Sequence, residues 1–399
     1  MKFMLRTRKK IFFLRPTEPN RGDMMSRYGL LKRIRNQYDA DQLVVLSTRD
    51  VSELPVPATV IKPGYLKDLI PRREQIRLYS KGDEVWWACG HDLQDDSSAL
   101  KLPFLVVKFL FYRLMGLQIK IMAQGAGPVK TYIGKWCVRT IIRIVTSASF
   151  RDQESLDLVS QLASAHIEKF SLSVDQALFA ADKSRSGAEE QEPQKRFCLG
   201  MNLRRWFHFD GHWMPYEYRT RFKLIKTVPG SEKMLVILRQ IAVILDRKID
   251  KYDILLLFIP MYPPKTEPWE DDLALLSKLK ALMRHKEKVA IISSDMSPND
   301  LLTIFGGLDA MIGVRLHSTI IATLFGKPSI HLSYSPKGKS YFERIKQENF
   351  CIPFESLLDE RQIGDFADKI DEIVGKNAEL SIKVTKSVEL LKEKYAQVF

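Results

Sequence analysis

Short apolar runs of strand length alternate with longer, helix-patterned stretches along nearly the whole chain, and no other feature restricts the fold as strongly. This alternation is the mark of parallel βαβ units, whose strands are buried on both faces and so lose the in–out polarity pattern. In the first half, strands are predicted at Lys10–Leu14, Leu43–Leu46, Glu84–Ala88, Gln118–Ala123, Val145–Ser149 and Ala165–Phe170, with helices such as Gly22–Gln37 and Gln153–Leu162. The pattern breaks at Ala181–Lys195 (ADKSRSGAEEQEPQK), where polar composition leaves too little apolar surface to offset the entropy of ordering. It then restarts with strands Phe197–Met201, Ile254–Ile259, Lys288–Ser293, Ala310–Val314 and Ser329–Leu332. Helices Glu232–Asp246, Trp269–His285, Asn299–Phe305 and Ser318–Phe325 lie between them, and a charged helical tail follows from Arg361.

The expected fold is therefore α/β, with two doubly wound Rossmann-like domains facing across a cleft. Residues 1–180 form the first domain, 181–195 a polar linker, 196–360 the second domain and 361–399 a helical tail. A chain of 399 residues is long enough for two cores. No repeat of solenoid length is present. In open parallel sheets ligands bind beyond the carboxyl ends of the strands, so the cleft is the expected site.

The 62 Lys and Arg against 48 Asp and Glu give a net charge of +14, which favours anionic partners. The basic residues are spread out, apart from a short run at Arg6–Lys10, with neither zinc-finger spacing nor a nucleic-acid motif, so nucleic acid is not an expected partner. Cys89, Cys137, Cys198 and Cys351 form no CxxC pair; they read as small buried hydrophobes and suit a reducing cytoplasm. The apolar run IFFL near the N-terminus is cut short by Arg15 and reads as a first strand rather than a leader. Leu102–Met122 is interrupted by Lys108, Arg113 and Lys120, which argues against a membrane span. Two readings remain for it: a basic amphipathic helix on a membrane surface, or a buried helix (Leu102–Met115) followed by a strand (Gln118–Met122). The second is adopted.

The segment from Asp309 to Tyr341, DAMIGVRLHSTIIATLFGKPSIHLSYSPKGKSY, is the most constrained. Its strand is followed by Gly313, Arg315, His317 and Ser318, and then by a helix that Gly326 and Pro328 end. Backbone N–H groups and the positive end of the helix dipole would meet there, forming an anion site before side chains are counted. Arg315 adds a planar fork for carboxylate or phosphate, and His317 a donor that titrates near neutral pH. On residue type alone, the same two side chains serve equally well to bridge loop carboxylates and cap the helix.

Residues Gly313-Val-Arg315-Leu-His317-Ser318, Gly326-Lys-Pro328 and Tyr334-Ser-Pro-Lys337 resemble the ordered motifs of the polysaccharide pyruvyl transferase family. Further matches run through the chain: Asn20-Arg-Gly22-Asp23, Gln124-Gly125-Ala-Gly127-Pro128, Phe150-Arg151-Asp152-Gln-Glu-Ser155 and Asn202-Leu-Arg204. The resemblance extends from about Ile11 to about Phe354. One departure stands out: the family's triple-glycine turn is replaced by Ala88-Cys89-Gly90-His91-Asp92, in which only Gly90 survives.

The resemblance implies transfer of the enolpyruvyl unit of phosphoenolpyruvate onto sugar hydroxyls of a cell-surface polysaccharide or its precursor, leaving a pyruvate ketal. Phosphoenolpyruvate is a co-substrate, and no cofactor or metal is expected. Arg315, Arg204, Ser318 and Lys337 would form the donor site, with His317 as general acid or phosphate ligand. Asp23 would orient or deprotonate the acceptor, or else brace its own loop. Asn20, Gly22, Gly90, Gln124 and Gly125 would form the acceptor-side loops. Lys337 reads equally as a solvated turn lysine, and Tyr334 as a packing residue. In the loop Arg204–Tyr218, Trp206, Trp213 and Tyr216 would stack on sugar rings or pin the loop, while His208, Asp210 and His212 lack the further ligand a metal needs. His91, His166, His285 and His331 are unassigned. A lipid-linked glycan acceptor and a loose attachment to the inner membrane face are compatible with the basic chain. The competing functions are a glycosyltransferase with a nucleotide-sugar donor and a non-catalytic glycan-binding relative.

Overall fold

In a computed structural model, residues 9–18, 20–65, 70–96, 100–181, 196–205, 222, 224, 231–262, 271–292, 295–359 and 361–396 are described. They hold two sheets, and every strand pairing in both is parallel. The described residues divide into two compact units: Asp23–Gln176 with the stretch up to Glu18, and those from Ala177 onward together with Asn20–Gly22.

The first sheet contains β1 (Ile11–Phe13), β2 (Leu43–Leu46), β3 (Thr59–Ile61), β4 (Glu84–Ala88), β5 (Gln118–Gln124), β6 (Ser147–Phe150) and β7 (Phe170–Leu172), in the order β3-β2-β1-β4-β5-β6-β7. Its crossovers carry α1 (Arg21–Ile34), α2 (Arg73–Leu78), α3 (Lys101–Leu114), α4 (Tyr132–Ile144) and α5 (Gln153–Leu162). Alternate residues of each strand feed opposite faces. Phe12, Val44, Val85 and Ile119 pack with Leu105 and Phe109 of α3 and Val138 and Ile141 of α4. Ile11, Phe13, Val45 and Trp86 pack with Leu30, Leu31 and Ile34 of α1. Burial on both faces explains why these strands read as continuous apolar runs.

The second sheet contains β8 (Cys198–Asn202), β9 (Leu255–Phe258), β10 (Val289–Ile291), β11 (Ala310–Gly313), β12 (Ser329–Ser333) and β13 (Cys351–Pro353), ordered β10-β9-β8-β11-β12-β13. Its helices are α6 (Ser231–Tyr252), α7 (Asp272–Leu282), α8 (Pro298–Gly306), α9 (Leu316–Leu324), α10 (Pro336–Arg344), α11 (Ile363–Gly375) and α12 (Asn377–Lys394). The charged tail is α11 and α12, whose Phe366, Ile370, Val384 and Val388 are buried.

Three expectations need correction. The strand expected at Ala165–Phe170 is a 3-10 turn over Ser164–Lys169, and β7 begins only at Phe170. Ile167 is exposed there, so its apolar character brings no burial, and Lys169 instead clamps the carbonyls of Ile142 and Val145. Helix α7 ends before His285 because the buried Asp246 carboxylate captures the N–H groups of Arg284 and His285. Of the four cysteines, all free, Cys89 and Cys137 are buried, whereas Cys198 and Cys351 are half-buried. The linker residues 182–195 lie outside the described residues, as do 206–218 of the aromatic loop, including His208, Asp210 and His212.

Leu102–Met122 forms the helix and strand pair, α3 and β5, of the adopted reading, but α3 is buried on one face only, with Val107, Leu110 and Leu114 exposed. Among the described residues no helix is long and apolar enough to cross a membrane.

Candidate functional site

In each sheet the strand order reverses direction once, between β1 and β4 in the first and between β8 and β11 in the second. At such a point the two crossovers leave on opposite faces, opening a crevice at the carboxyl edge where ligands bind.

In the second unit, Arg204 lies two residues beyond β8 and Arg315 two residues beyond β11. Beyond the next strand, β12, come Tyr334 and Lys337. The three strands are neighbours, so their loops converge. Asn202, fully buried at the end of β8, stitches them together: its Oδ1 accepts the Arg315 N–H at 3.1 Å and its Nδ2 donates to the Ile259 carbonyl at 3.0 Å. Arg204 Nη1 donates to the Tyr334 hydroxyl at 2.6 Å, with its guanidinium 5.0 Å from the ring centre.

Arg315 is the N-cap of α9, and its side chain forms a fork to Asp272. Nε meets Oδ2 at 2.7 Å and Nη2 meets Oδ1 at 2.8 Å. Asp272 is almost fully buried and also accepts the Met261 and Tyr262 N–H groups at 3.0 and 3.1 Å. The pair is thus fixed in direction and nearly neutral, with the guanidinium stacked 5.2 Å from the Tyr262 ring. Of the two roles open to Arg315 in the sequence, bridging a carboxylate is one the structure displays. Ser318 is buried and donates its hydroxyl to the Arg315 carbonyl at 2.7 Å, closing the first turn of α9. His317, half-buried, stands in that same turn. Lys337 is in the first turn of α10 rather than at a strand end, because Pro336 starts a helix at N1.

In the first unit, Arg15 follows β1, and Cys89 through Asp92 follow β4. Arg15 Nη2 donates to Asp23 at 2.7 Å and Arg15 Nε to Asp92 at 2.5 Å. Trp87 Nε1 donates to Asp92 at 3.0 Å and Lys101 stands 3.5 Å from it. Burial alone would push the Asp92 carboxyl up, but Arg15 and Lys101 hold it well below the ordinary range. Burial likewise opposes the charge on Arg15, and Asp23 and Asp92 more than compensate. A second pair adjoins: Arg151 Nη1 to Asp175 at 2.7 Å, with Ser26 on the other Asp175 oxygen at 2.6 Å. Cys89, buried among these groups, keeps its proton because burial and the Asp175 charge push its thiol far up.

Gly90 adopts φ +91°, and a Cβ there would fall 2.0 Å from Arg15 Nη2, so the surviving glycine is required where the guanidinium crosses. Cys89, with φ +64°, occupies the left-handed region without being glycine, and so does Ala123 at +49°. Gln124 is fully buried; its amide donates to the Cys89 carbonyl and its Oδ-equivalent Oε1 accepts the Asp92 N–H at 3.3 Å. The Gly125 N–H donates to Gly90 at 2.9 Å. Asn20 Oδ1 accepts the Gly22 N–H at 2.9 Å, the contact of an N-capping turn.

The structure therefore gathers Arg204, Arg315, His317, Ser318 and Lys337 around one carboxyl edge, and Asp23, Gly90, Gln124 and Gly125 around another. Sequence reasoning missed Arg15, Asp92, Asp175 and Asp272. Asp272 left one trace: Asp271 already caps α7 by accepting the Ala274 N–H, which leaves its neighbour available for another task. Among the described residues no group of His, Cys, Asp and Glu is arranged to hold a metal.

Comparison with known proteins gives a concordant picture. The sequence model described as polysaccharide pyruvyl transferase matches residues 20–336. The amylovoran biosynthesis protein AmsJ of Erwinia amylovora is 24% identical over 119 residues, which is 30% of this chain and 28% of that protein. Among solved structures, Anabaena HepE in complex with UDP is 12% identical with a TM-score of 0.54, covering 97% of this chain and 95% of its own. S. aureus MnaA with UDP is 13% identical with a TM-score of 0.56, covering 95% and 91%. The UDP-GlcNAc 2-epimerase of Neisseria meningitidis bound to UDP-GlcNAc is 11% identical with a TM-score of 0.54, covering 96% and 99%. At these identities the likeness is one of fold, which is glycosyltransferase-B-like.

Proposed function

Because the chain belongs to the polysaccharide pyruvyl transferase family, and is thereby a transferase of polysaccharide biosynthesis, we propose that it moves the enolpyruvyl unit of phosphoenolpyruvate onto sugar hydroxyls. The observation that carries this reading is the convergence of Arg204, Arg315, His317 and Lys337 on adjacent strand ends at a topological switch point. Phosphoenolpyruvate presents a carboxylate and a phosphate. Asp272 offsets the charge of Arg315, so Arg315 supplies oriented N–H groups beside the cationic side chains of Arg204 and Lys337. Ser318 contributes through the loop that it pins.

In the proposed chemistry His317 delivers a proton to the methylene carbon or holds the phosphate. Protonation there makes the adjacent carbon an oxocarbenium centre. A sugar oxygen bonds to it and loses its proton, the carbon–oxygen bond to phosphate breaks, and inorganic phosphate departs. A second hydroxyl of the sugar then closes the ketal. The acceptor is assigned to the first unit, where Asp23 orients a hydroxyl among the turns bearing Gly90, Gln124 and Gly125; Asn20 and Gly22, expected beside them, group with the second unit instead. No cofactor is invoked, and the reading places the enzyme in the cytoplasm.

Calorimetric titration of phosphoenolpyruvate, beside a panel of nucleotide sugars, tests the donor without knowledge of the acceptor. Arg315→Ala would strand the buried Asp272 carboxylate and endanger folding. Arg204→Ala and Arg315→Lys are therefore the better probes. Loss of one charge-assisted contact should weaken binding about ten- to a hundredfold. Binding of a nucleotide sugar with no response to phosphoenolpyruvate would overturn the reading in favour of glycosyl transfer.

A further inference from the structure

Helices α3 and α4 lie side by side on one face of the first sheet, and their inward faces are ordinary core: Leu102, Leu105 and Phe109 on one, Val138, Ile141 and Ile142 on the other. Their outward faces are not ordinary. A surface helix normally turns charged or polar residues to solvent. Here α3 turns out Phe104, Val107, Leu110 and Leu114, with Leu100 just before it, and Leu114 is 86% exposed. The first turn of α4 adds Tyr132, Ile133 and Trp136, which are 91%, 62% and 59% exposed. The apolar stripe on α3 runs the length of a 14-residue helix, about 20 Å.

The charge carried by the two helices themselves has one sign. From Lys101 to Phe150 the sequence has eight Lys and Arg and not a single Asp or Glu. Three of the eight are used inside the fold: Lys108 is buried against Trp87, Lys120 pairs with Glu84 at 2.9 Å, and Lys101 lies 3.5 Å from Asp92. Arg113, Lys130, Arg139 and Arg143 are exposed, and Lys135 stands over the exposed Tyr132 ring at 5.9 Å. Exposed aliphatic side chains, an aromatic pair and helices whose own charges are all basic are the combination that partitions into the boundary of an anionic bilayer. Trp and Tyr suit headgroup depth, and aliphatic side chains the region just below it.

We infer that the outer face of α3 and α4 is a membrane-docking surface for anionic phospholipid, on which both helices lie flat. The docking rests on this surface alone. Its bearing on the acceptor rests on the pyruvyl-transfer reading. The amino ends of α3 and α4 follow the carboxyl ends of β4 and β5, the edge that carries Arg15, Asp23 and Asp92. Lys101, in the first turn of α3, links the two: its Nζ donates to the His91 carbonyl at 3.0 Å and lies 3.5 Å from Asp92. A glycan carried on a membrane lipid would thus be presented to the acceptor edge by the same contact that recruits the enzyme.

The test is flotation of the full-length protein with vesicles of phosphatidylcholine alone or mixed with phosphatidylglycerol, at low and high salt. Binding is expected on the anionic vesicles only, weakened by salt, and reduced about tenfold or more in the double variant L114S/W136S. Both positions are exposed, so the variant should keep its circular dichroism spectrum and thermal transition. Equal binding to both vesicle types, binding to neither, or indifference to the double variant would overturn the inference. A solution dimer that the double variant disperses would also overturn it, assigning the patch to a second copy. No phosphoenolpyruvate is present, so failure here leaves the donor reading untouched, and failure of the donor titration leaves this surface standing.

Discussion

His331 sits beside the loop that follows β11, its Nδ1–H on the Gly313 carbonyl at 2.9 Å and its ring stacked on Phe342 at 5.7 Å between centroids. Burial depresses its pKa from 6.5 to about 4, despite the opposing bond to Gly313, so it is neutral at ordinary pH. The unfolded chain binds the extra proton between those two values, so the contribution is complete above pH 6.5 and drains away as pH falls toward 4. The full loss is about 3 kcal/mol. Urea midpoints measured across this window should fall in the wild type and flatten in His331→Asn; equal slopes in both would refute the assignment. At the level of single residues, the sequence disclosed what is local. Arg315 and His317 could be placed at a strand end because Gly313 and Gly326 bracket their helix. The partners of those residues could not. Asp272 reaches Arg315 across 43 positions and Asp92 reaches Arg15 across 77, and no spacing rule spans such distances.

The turn after β4 is held by strain as well as by hydrogen bonds. Cys89 and Gly90 take consecutive positive φ values, and the Gln124 amide and the Met122 carbonyl hold the Cys89 backbone in place. A left-handed residue that is not glycine costs about 1–3 kcal/mol, most of all when it is β-branched. Cys89→Val should therefore lower unfolding free energy by about 2–3 kcal/mol, whereas Cys89→Gly should stay within about 1 kcal/mol, lost burial and relieved strain nearly cancelling. Chemical denaturation decides this, and equal destabilisation by both would mean that thiol packing governs the site. The turn also shows where pattern reading of elements stops. Strands that form an apolar run, such as β1, β2 and β4, were legible, whereas β3 and β13 each bury only one residue, Ile61 and Ile352, and show no such run. The turn at Ser164–Lys169 misled because apolar residues there alternate without being buried.

Both units share one plan, a parallel sheet whose order reverses between its first and fourth strands, each with its polar residues gathered at that reversal. This plan was legible from the alternation of runs, because connection rules for parallel sheets leave few alternatives. If the second unit holds the donor, hydrogen exchange with and without phosphoenolpyruvate should show slowed exchange around 202–204 and 313–318 and no change around 88–92. Slowed exchange confined to 88–92 would move the donor to the first unit.

The two switch points have a consequence for how such an enzyme can change over time. Each polar edge consists of strand ends, turns and first helical turns, set on a sheet whose core lies beneath it. A lineage can therefore rewrite the turns after β1, β4 and β5, the last two of which pack Cys89 and Gly90 against Gln124 and Gly125, without disturbing the loops after β8 and β11. On the proposed division of donor and acceptor, inheritance of one substrate preference is in that sense uncoupled from the other.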